Sequence, residues 1–436
     1  MTADMDMAGK LEEMVGRSIG YMAAVFAGVS MISVGSASAQ TPTRSGDVEQ
    51  RQQQRAGSED YRPIGARIGS FQVFPRVALS EEHNDNVYAA ATDEKSDFVT
   101  TFSPSIGVQS DFARHSLNLN AGAEIVRYAD YGNDDHENYN ISVGSGLEAT
   151  RALNFDLSAA YRLDHEDRSS PDDAGGIEPT EYDRTDLAAG ARYRPGVVLL
   201  GLRGERRSFN YDDVSTSGGT TNNDDRDRDE YRIIGEVGYE YLPDTDAFVR
   251  VTYETVSYEV EAAGDDGGLD RDSNGYEVVA GTDLDFTGVT TGEIFAGYFS
   301  RSYDDATLSD SNGVAFGGNV RWNVTQLTTI RGGVSRAVRE TTTANSSGYV
   351  STAFNVRVDH EFLRNLNGRA QISYSKDDYD GITREDDTVA ASVGARYLIN
   401  RNFNADLGYE HRERSSDSAG SDYTINRIRL VLTAQF

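Results

Sequence analysis

The chain has 436 residues, of which 71 are acidic and 41 basic, a formal net charge of -30, and no cysteine. The absence of cysteine excludes disulfide frameworks, thiolate zinc sites and cysteine nucleophiles. The excess of acid argues against nucleic acid as a partner, because a phosphate-binding surface must be basic. A mean hydropathy of -0.55 excludes a bundle of membrane helices. It does not exclude a membrane β-barrel, in whose strands polar and apolar residues alternate.

The first 39 residues have the features of an export signal. An uncharged apolar run, Ile19–Val34, follows Arg17, and the small residues before Gln40 form a signal-peptidase site. The run is shorter than the about 20 residues that a membrane helix needs. We therefore predict a signal peptide over 1–39, cleaved on export. Acidic residues outnumber basic ones ahead of the run, which is unusual for such a signal, so we expect translation to begin at Met14.

The rest of the chain divides into a polar tail and a long alternating region. Residues 40–66 start with a charged stretch that has no apolar period, which predicts a disordered periplasmic tail. Over 67–436, apolar and polar residues alternate in eighteen runs, most of them 12–15 residues long. Strands of soluble proteins average about 5–6 residues, whereas a tilted membrane strand needs about 9–11. The pattern therefore favours a transmembrane barrel over a soluble propeller or sandwich.

The connections between the runs alternate in length. Short turns follow the even-numbered runs, and long acidic loops rich in Gly, Ser and Asn follow odd ones, as at 83–96, 169–181, 212–229 and 261–271. Outer-membrane barrels have short periplasmic turns and longer external loops. We predict an all-β, antiparallel, up-and-down transmembrane barrel of about 18 strands (16–18), with both termini in the periplasm. Aromatic residues fall where an aromatic girdle would lie: Tyr128, Tyr161, Tyr193, Tyr241, Tyr298, Trp322, Tyr397 and Tyr409.

The last strand carries a candidate assembly signal. Leu430, Leu432, Ala434 and Phe436 share one face and end the chain on an aromatic residue. This ending resembles the signal of bacterial outer-membrane barrels that the barrel-assembly machinery reads. We expect that deleting Phe436 leaves the chain periplasmic and degraded.

Short motifs near the start of the barrel resemble a particular family. Phe74-Pro75, Asp85-Asn86-Val87-Tyr88, Lys95-Ser96-Asp97-Phe98 and Ser103-Pro104 are similar to the opening strands of the putative beta-barrel porin type 2 family. The resemblance extends over residues 60–436. It implies an outer-membrane barrel of a Gram-negative bacterium, surrounded by lipid and lipopolysaccharide, in a family often linked to export of capsule or exopolysaccharide.

The lumen is predicted to carry a group of arginines. Five of them fall on the inward parity of five consecutive strands, near the periplasmic turns: Arg321, Arg331, Arg357, Arg369 and Arg396. Asp283 and Glu293, on the two preceding strands, lie inward at comparable depth. An arginine stays charged and offers a planar fork of donors that suits carboxylates and sugar hydroxyls. Either these arginines pair with inward acids such as Asp359 and Asp406, or they form an arc facing an acidic patch, whose transverse field orients a passing polar or anionic chain.

The remaining motifs give little support for metal binding or catalysis. Asp270–Gly275 fits the first half of a calcium loop, but Gly281 stands where the bidentate glutamate belongs. His165 and His411 lie beside acids, yet such neighbours are common in an acidic chain. We therefore predict no enzyme activity, metal or cofactor. The segment before residue 67 is too short for the plug of a TonB-dependent receptor.

Three functions are compatible with such a barrel. A barrel of 16–18 strands encloses an aqueous channel. The first hypothesis is an outlet for exopolysaccharide or capsular polysaccharide that works with periplasmic export proteins. The second is a general or solute-selective diffusion porin, and the third is a structural or adhesive surface barrel. The sequence does not separate the first two.

Overall fold

The computed structural model describes residues 61–259, 270–286 and 288–436. The predicted signal peptide, the start at Met14 and the tail up to residue 60 lie outside these residues. Within the described part, no helix has the length and apolar character needed to cross a membrane.

In the part of the chain that the structure describes, eighteen long antiparallel strands form the sheet. They are β1 (Phe71–Asn84), β2 (Asp97–Ser110), β3 (His115–Tyr128), β4 (His136–Glu148), β5 (Leu153–His165), β6 (Glu181–Tyr193), β7 (Val198–Tyr211), β8 (Arg228–Leu242), β9 (Thr245–Tyr258), β10 (Ser273–Phe286), β11 (Thr290–Tyr303), β12 (Ser311–Asn323), β13 (Thr328–Arg339), β14 (Tyr349–Leu363), β15 (Leu366–Tyr379), β16 (Glu385–Leu398), β17 (Phe403–Ser416) and β18 (Tyr423–Gln435). Each strand pairs with its neighbours in the chain. The first and last strands pair from Arg76↔Gln435 to Asn84↔Arg427, so that the sheet closes into a barrel. The predicted fold is confirmed.

The length of the strands and the alternation of their side chains suit a barrel wall that crosses a membrane. The strands contain 12 to 15 residues, and 14 residues at about 3.3 Å each reach beyond the apolar band of about 25 Å even when tilted. On β18, Ile428 and Leu432 point outward and are 54% and 49% exposed, whereas the inward Val431 and Thr433 are buried. A soluble protein rarely exposes so large an apolar surface, so this wall has the character of one that faces lipid.

Aromatic side chains mark the two edges of this wall. Tyr193, Tyr241, Trp322 and Tyr397 are exposed beside the short periplasmic turns, and Tyr161, Tyr298 and Tyr409 are exposed towards the external loops. Tyr128 was predicted to belong to this girdle, and that assignment was wrong. Its register partner is the buried Val99, so both residues face the lumen.

The start of the barrel differs from the predicted run at 67–82. Ala66–Ile68 forms a separate short strand that folds back onto Phe71–Val73 through a turn at Gly69, whose φ is +61°. Glycine adopts this left-handed conformation without steric cost. The first barrel strand therefore begins at Phe71, and part of the predicted tail is ordered.

The C-terminal residue lies at the closing seam. The backbone N–H of Phe436 donates to the Pro75 carbonyl at 3.1 Å, and the Phe436 side chain is 57% exposed. This one backbone bond adds little to the nine residue pairs that join β1 and β18. An assembly defect on deleting Phe436 would therefore reflect recognition rather than lost stability. Surface labelling and outer-membrane fractionation measure it, with Phe362→Ala as the control, because Phe362 is an equally exposed aromatic at a periplasmic turn.

The external half of the hairpin β13–β14 leans into the lumen. Among the described residues, β12 and β13 pair only from Gly317↔Ser335 to Asn323↔Thr329. Beyond that point, Val338 and Val350 pack against an apolar cluster on the inner wall, made of Phe248, Val279, Phe299 and Ala315. This side of the external lumen is therefore filled by protein.

Candidate functional site: the barrel lumen

The five predicted arginines meet at the periplasmic end of the lumen. Because β12 to β16 are consecutive and antiparallel, residues near their periplasmic turns share one height. Arg321 stands directly opposite Arg331, and Arg331 stands directly opposite Arg357. Like charges in opposed positions destabilise a sheet. The arrangement therefore needs carboxylates close by.

Two aspartates supply those carboxylates. Asp359 accepts hydrogen bonds from Arg357 at 3.0 and 2.8 Å and from Arg369 at 3.4 Å, and it also forms an ion pair with Arg331. Arg396 donates to Asp406 at 2.6 Å. The side chains of Asp359 and of its three arginines remain about 30% exposed to the lumen. The predicted pairing with Asp359 and Asp406 is thus present, and it leaves the guanidinium groups accessible.

All five arginines line one cavity of about 330 Å³. Arg429 completes the basic lining, and Asp359, Glu361 and Asp406 are the carboxylates of the same cavity. Six arginines thus face three carboxylates, a surplus of three positive charges among the lining residues. Just outside the lining, Glu82 pairs with Arg429 and Arg76 lies near Arg396, and these two charges offset each other. This surplus stands in a chain whose formal net charge is -30.

Asp283 and Glu293 belong to a different part of the wall. They stand opposite each other on β10 and β11, and Asp246 on β9 stands opposite Asp283. Arg250 donates to Glu293 at 3.1 and 2.9 Å and to Glu236 at 2.7 Å. Neither Asp283 nor Glu293 lines the arginine cavity. The predicted acidic patch is present beside the arc, and Arg250 neutralises part of it.

A second cavity shows the contrasting arrangement. It measures about 190 Å³ and lies against β5 to β9. Its charged residues are Asp186, Arg203, Glu205, Arg206, Arg207, Glu230, Arg232 and Glu254. Arg206 has the outward parity of the exposed Tyr231 and pairs with Asp229, so three arginines face four carboxylates across this cavity. Most of them form ion pairs with each other, as Arg232 does with Glu254 at 2.9 Å, so this wall has no positive surplus while the opposite wall is basic.

A loop between β5 and β6, residues 166–180, crosses the external mouth of the lumen; we call it the crossing loop. The carboxylate of Asp172 accepts hydrogen bonds from the Thr341 hydroxyl at 2.6 Å and from the Thr342 N–H at 3.0 Å. Thr341 and Thr342 lie in the β13–β14 loop, eight strands away around an eighteen-stranded barrel. The crossing loop therefore meets the inward-leaning β13–β14 hairpin across the mouth.

Further contacts hold the crossing loop in place. Glu166 pairs with the buried Arg226 at 2.7 Å, and Arg168 pairs with the fully buried Asp134 at 2.7 Å. The Ser169 carbonyl accepts a hydrogen bond from Arg414 of β17. Burial raises the pKa of Asp173 to about 6, although Arg168 lies 3.5 Å away. The crossing loop is thus held across the mouth by polar contacts.

An eighteen-stranded barrel with an apolar outer wall, short periplasmic turns and a charged lumen is an outer-membrane porin. The sequence matches the model of the family described as "Putative beta-barrel porin 2" over residues 59–436. The chain belongs to this family, as the motifs of its first strands indicate. Family and fold are those of channel proteins and not of enzymes.

Several solved structures of outer-membrane proteins are similar to this chain. OpdK from Pseudomonas aeruginosa is 13% identical, with 84% of this chain and 99% of OpdK covered and a TM-score of 0.41. OccK2 (OpdF) from the same organism, in complex with glucuronate, is 10% identical, with 85% and 98% covered and a TM-score of 0.46. OccAB4 from Acinetobacter baumannii is 11% identical, with 84% and 98% covered and a TM-score of 0.44. No curated protein sequence matches the chain.

Proposed function

We propose that this porin is a solute-selective diffusion channel that prefers small anionic solutes bearing a carboxylate. The observation that carries the proposal is the surplus of three positive charges in the arginine cavity. Guanidinium groups bind carboxylates through paired, charge-assisted hydrogen bonds. The arginines are fixed on strands, and the side chains of Arg331, Arg357 and Arg369 remain about 30% exposed, so that a solute can reach them.

The crossing loop favours small solutes over a polymer. Its contacts with Thr341, Thr342 and Arg414 close much of the external mouth. A polysaccharide outlet would require a continuous wide path past this point. The described residues therefore give the polysaccharide outlet no support, and a solute channel is the better reading of this lumen. An adhesive barrel would not require a basic cavity at the periplasmic end.

The expected size of the preference follows from the charges. Three surplus charges about 8 Å away attract a monovalent anion by about 0.6 kcal/mol in a watery lumen once salt at about 0.15 M screens them. They repel a monovalent cation by the same amount, so the two ions differ by about 1 kcal/mol. This corresponds to a several-fold preference for anions. It should weaken at high ionic strength.

Reconstitution tests the proposal. In planar bilayers under a KCl gradient, the reversal potential of the wild-type channel should indicate chloride over potassium by several fold. In liposome-swelling assays, galacturonate should enter faster than galactose, which has a hydroxymethyl group in place of the carboxylate and is otherwise the same sugar. Cation preference, or equal rates for the two sugars, would contradict the proposal.

The remaining parts of the proposal concern biogenesis. Export through a cleaved signal peptide at 1–39 delivers the chain to the periplasm, and the barrel-assembly machinery reads Phe436 there. The mature protein then resides in the outer membrane of a Gram-negative cell, in contact with lipid and lipopolysaccharide. N-terminal sequencing of the purified mature protein tests the cleavage site directly.

A further inference from the structure

One carboxylate, that of Asp359, holds three of the cavity arginines. Arg357 lies two residues before it on β14 and donates to it through Nε and Nη2. Arg369 stands opposite Asp359 on β15, and Arg331 reaches it from β13. A carboxylate has two oxygens and about four acceptor positions, so these three arginines occupy most of them.

Asp359 occupies the place where the carboxylate of a solute would bind. The same three guanidinium groups would have to bind an entering acid, and Asp359 is already bound to them. Asp359 is 28% exposed, so that a solute can reach the shared donors from the lumen. A channel conducts well only if a solute binds strongly enough to enter and weakly enough to leave.

We propose that Asp359 is a specificity-determining residue that competes with the permeating carboxylate for Arg331, Arg357 and Arg369. This inference rests on the proposed function and extends it. An entering acid displaces Asp359 from part of the shared donors, so the net gain on binding is small and the solute leaves quickly. Without this built-in competitor, three arginines would hold an acid for longer and the channel would be blocked by its own solute.

Asp406 provides a matched control. It lines the same cavity and carries the same charge, but it bonds to one arginine of the cavity, Arg396. Neutralising either aspartate raises the charge of the cavity by one. Only the loss of Asp359 would release three guanidinium groups at once.

The experiment compares Asp359→Asn with Asp406→Asn in single-channel recordings with galacturonate. The Asp359→Asn channel should bind galacturonate about tenfold more tightly, through longer dwell times, whereas Asp406→Asn should change the affinity by less than about threefold. Weaker binding by Asp359→Asn would make Asp359 a residue that only orients the arginines. Equal tightening in both variants would reduce the effect to net charge. Either result would overturn the proposal.

Folding and the proposed function are checked separately. Heat-modifiable mobility in gels reports whether each variant forms a barrel, and Asp359→Ser is the second variant if Asp359→Asn does not fold. Failure of both Asp359 variants to fold, while Asp406→Asn folds, would assign Asp359 a structural role and overturn the proposal. If the wild-type channel shows neither anion preference nor galacturonate binding, the proposed function fails as well. Wild-type binding without tightening in Asp359→Asn overturns this inference alone.

Discussion

Replacing Arg357, Arg369 and Arg396 together by alanine is expected to abolish the anion preference of the channel and to raise its conductance. The cavity contains six arginines and three carboxylates, so removing three arginines leaves no surplus charge. Conductance should rise because three long side chains leave the lumen at one height. The reversal potential under a KCl gradient measures the first effect, and the single-channel current in symmetric KCl measures the second.

A control with the same change in net charge separates the cavity from the whole protein. Arg67, Arg114 and Arg127 are exposed and lie outside the arginine cavity. Their triple replacement by alanine should leave the reversal potential within error of wild type. If the cavity variant folds and keeps full anion selectivity, the arginines serve only as structural partners of Asp359 and Asp406.

Shortening the crossing loop is expected to have the largest effect on conductance. If residues 168–175 are replaced by a short Gly-Ser linker, the contacts of Arg168, Ser169 and Asp172 are lost together. The mouth should then open, and the single-channel conductance should rise several-fold. Liposome swelling should also extend to larger sugars such as raffinose. A matched control removes residues 418–421 from the largely exposed β17–β18 loop and should leave the conductance unchanged.

The native chain has no cysteine, which allows a reversible version of this test. A disulfide between Asp172→Cys and Thr342→Cys should fix the crossing loop across the mouth. Its reduction should then raise solute flux to at least the wild-type level. If the oxidised variant conducts like wild type and the shortened loop has no effect, solutes pass beside the crossing loop and it does not limit the channel.

A low pH should stabilise the packed position of the crossing loop. Burial raises the pKa of Asp173 to about 6, so the packed loop binds a proton more readily than a solvated one. The packed state is therefore most stable below the ordinary pKa of an aspartate, and it loses stability as the pH rises towards 6. Conductance should be lower at pH 5 than at pH 7.5, and Asp173→Asn should remove this difference.

Most of the wall could be predicted from the sequence because two simple rules act on every strand. Side chains two residues apart share a face, and a strand that crosses a membrane has a minimum length. The run predicted at 154–168 is the strand Leu153–His165, and the run at 290–303 is β11 itself. Parity together with distance from a turn also placed Arg321 and Arg396 in one cavity.

The details that were missed depend on contacts that parity does not specify. Parity predicted that Glu293 faces inward, but it did not reveal that Arg250 on a strand two places away would neutralise it. Tyr128 is an exception: it was assigned to the girdle from its place near a strand end, whereas the apolar Leu117, Leu119 and Ile125 lie at odd positions and put Tyr128 on the other face. The ion pairing in the cavity against β5 to β9 also depends on which of many inward acids and arginines become neighbours.

The crossing loop could not be predicted for a different reason. Loop residues have no periodic pattern, and Asp172 meets Thr342 across 170 positions of sequence. Such a contact exists only after the barrel has closed and brought the two loops to the same mouth. The sequence shows a long acidic segment at 169–181 and gives no sign of the direction in which it folds.

The inward lean of the β13–β14 hairpin affects where the closed sheet opens under mechanical stress. Seven residue pairs join β12 to β13, against nine at the closing seam of β1 and β18 and fourteen between β10 and β11. A closed sheet under lateral stress yields at the joint with the fewest hydrogen bonds. The barrel should therefore open first between β12 and β13, starting at its external rim. The seam between β1 and β18 need not be the first joint to separate.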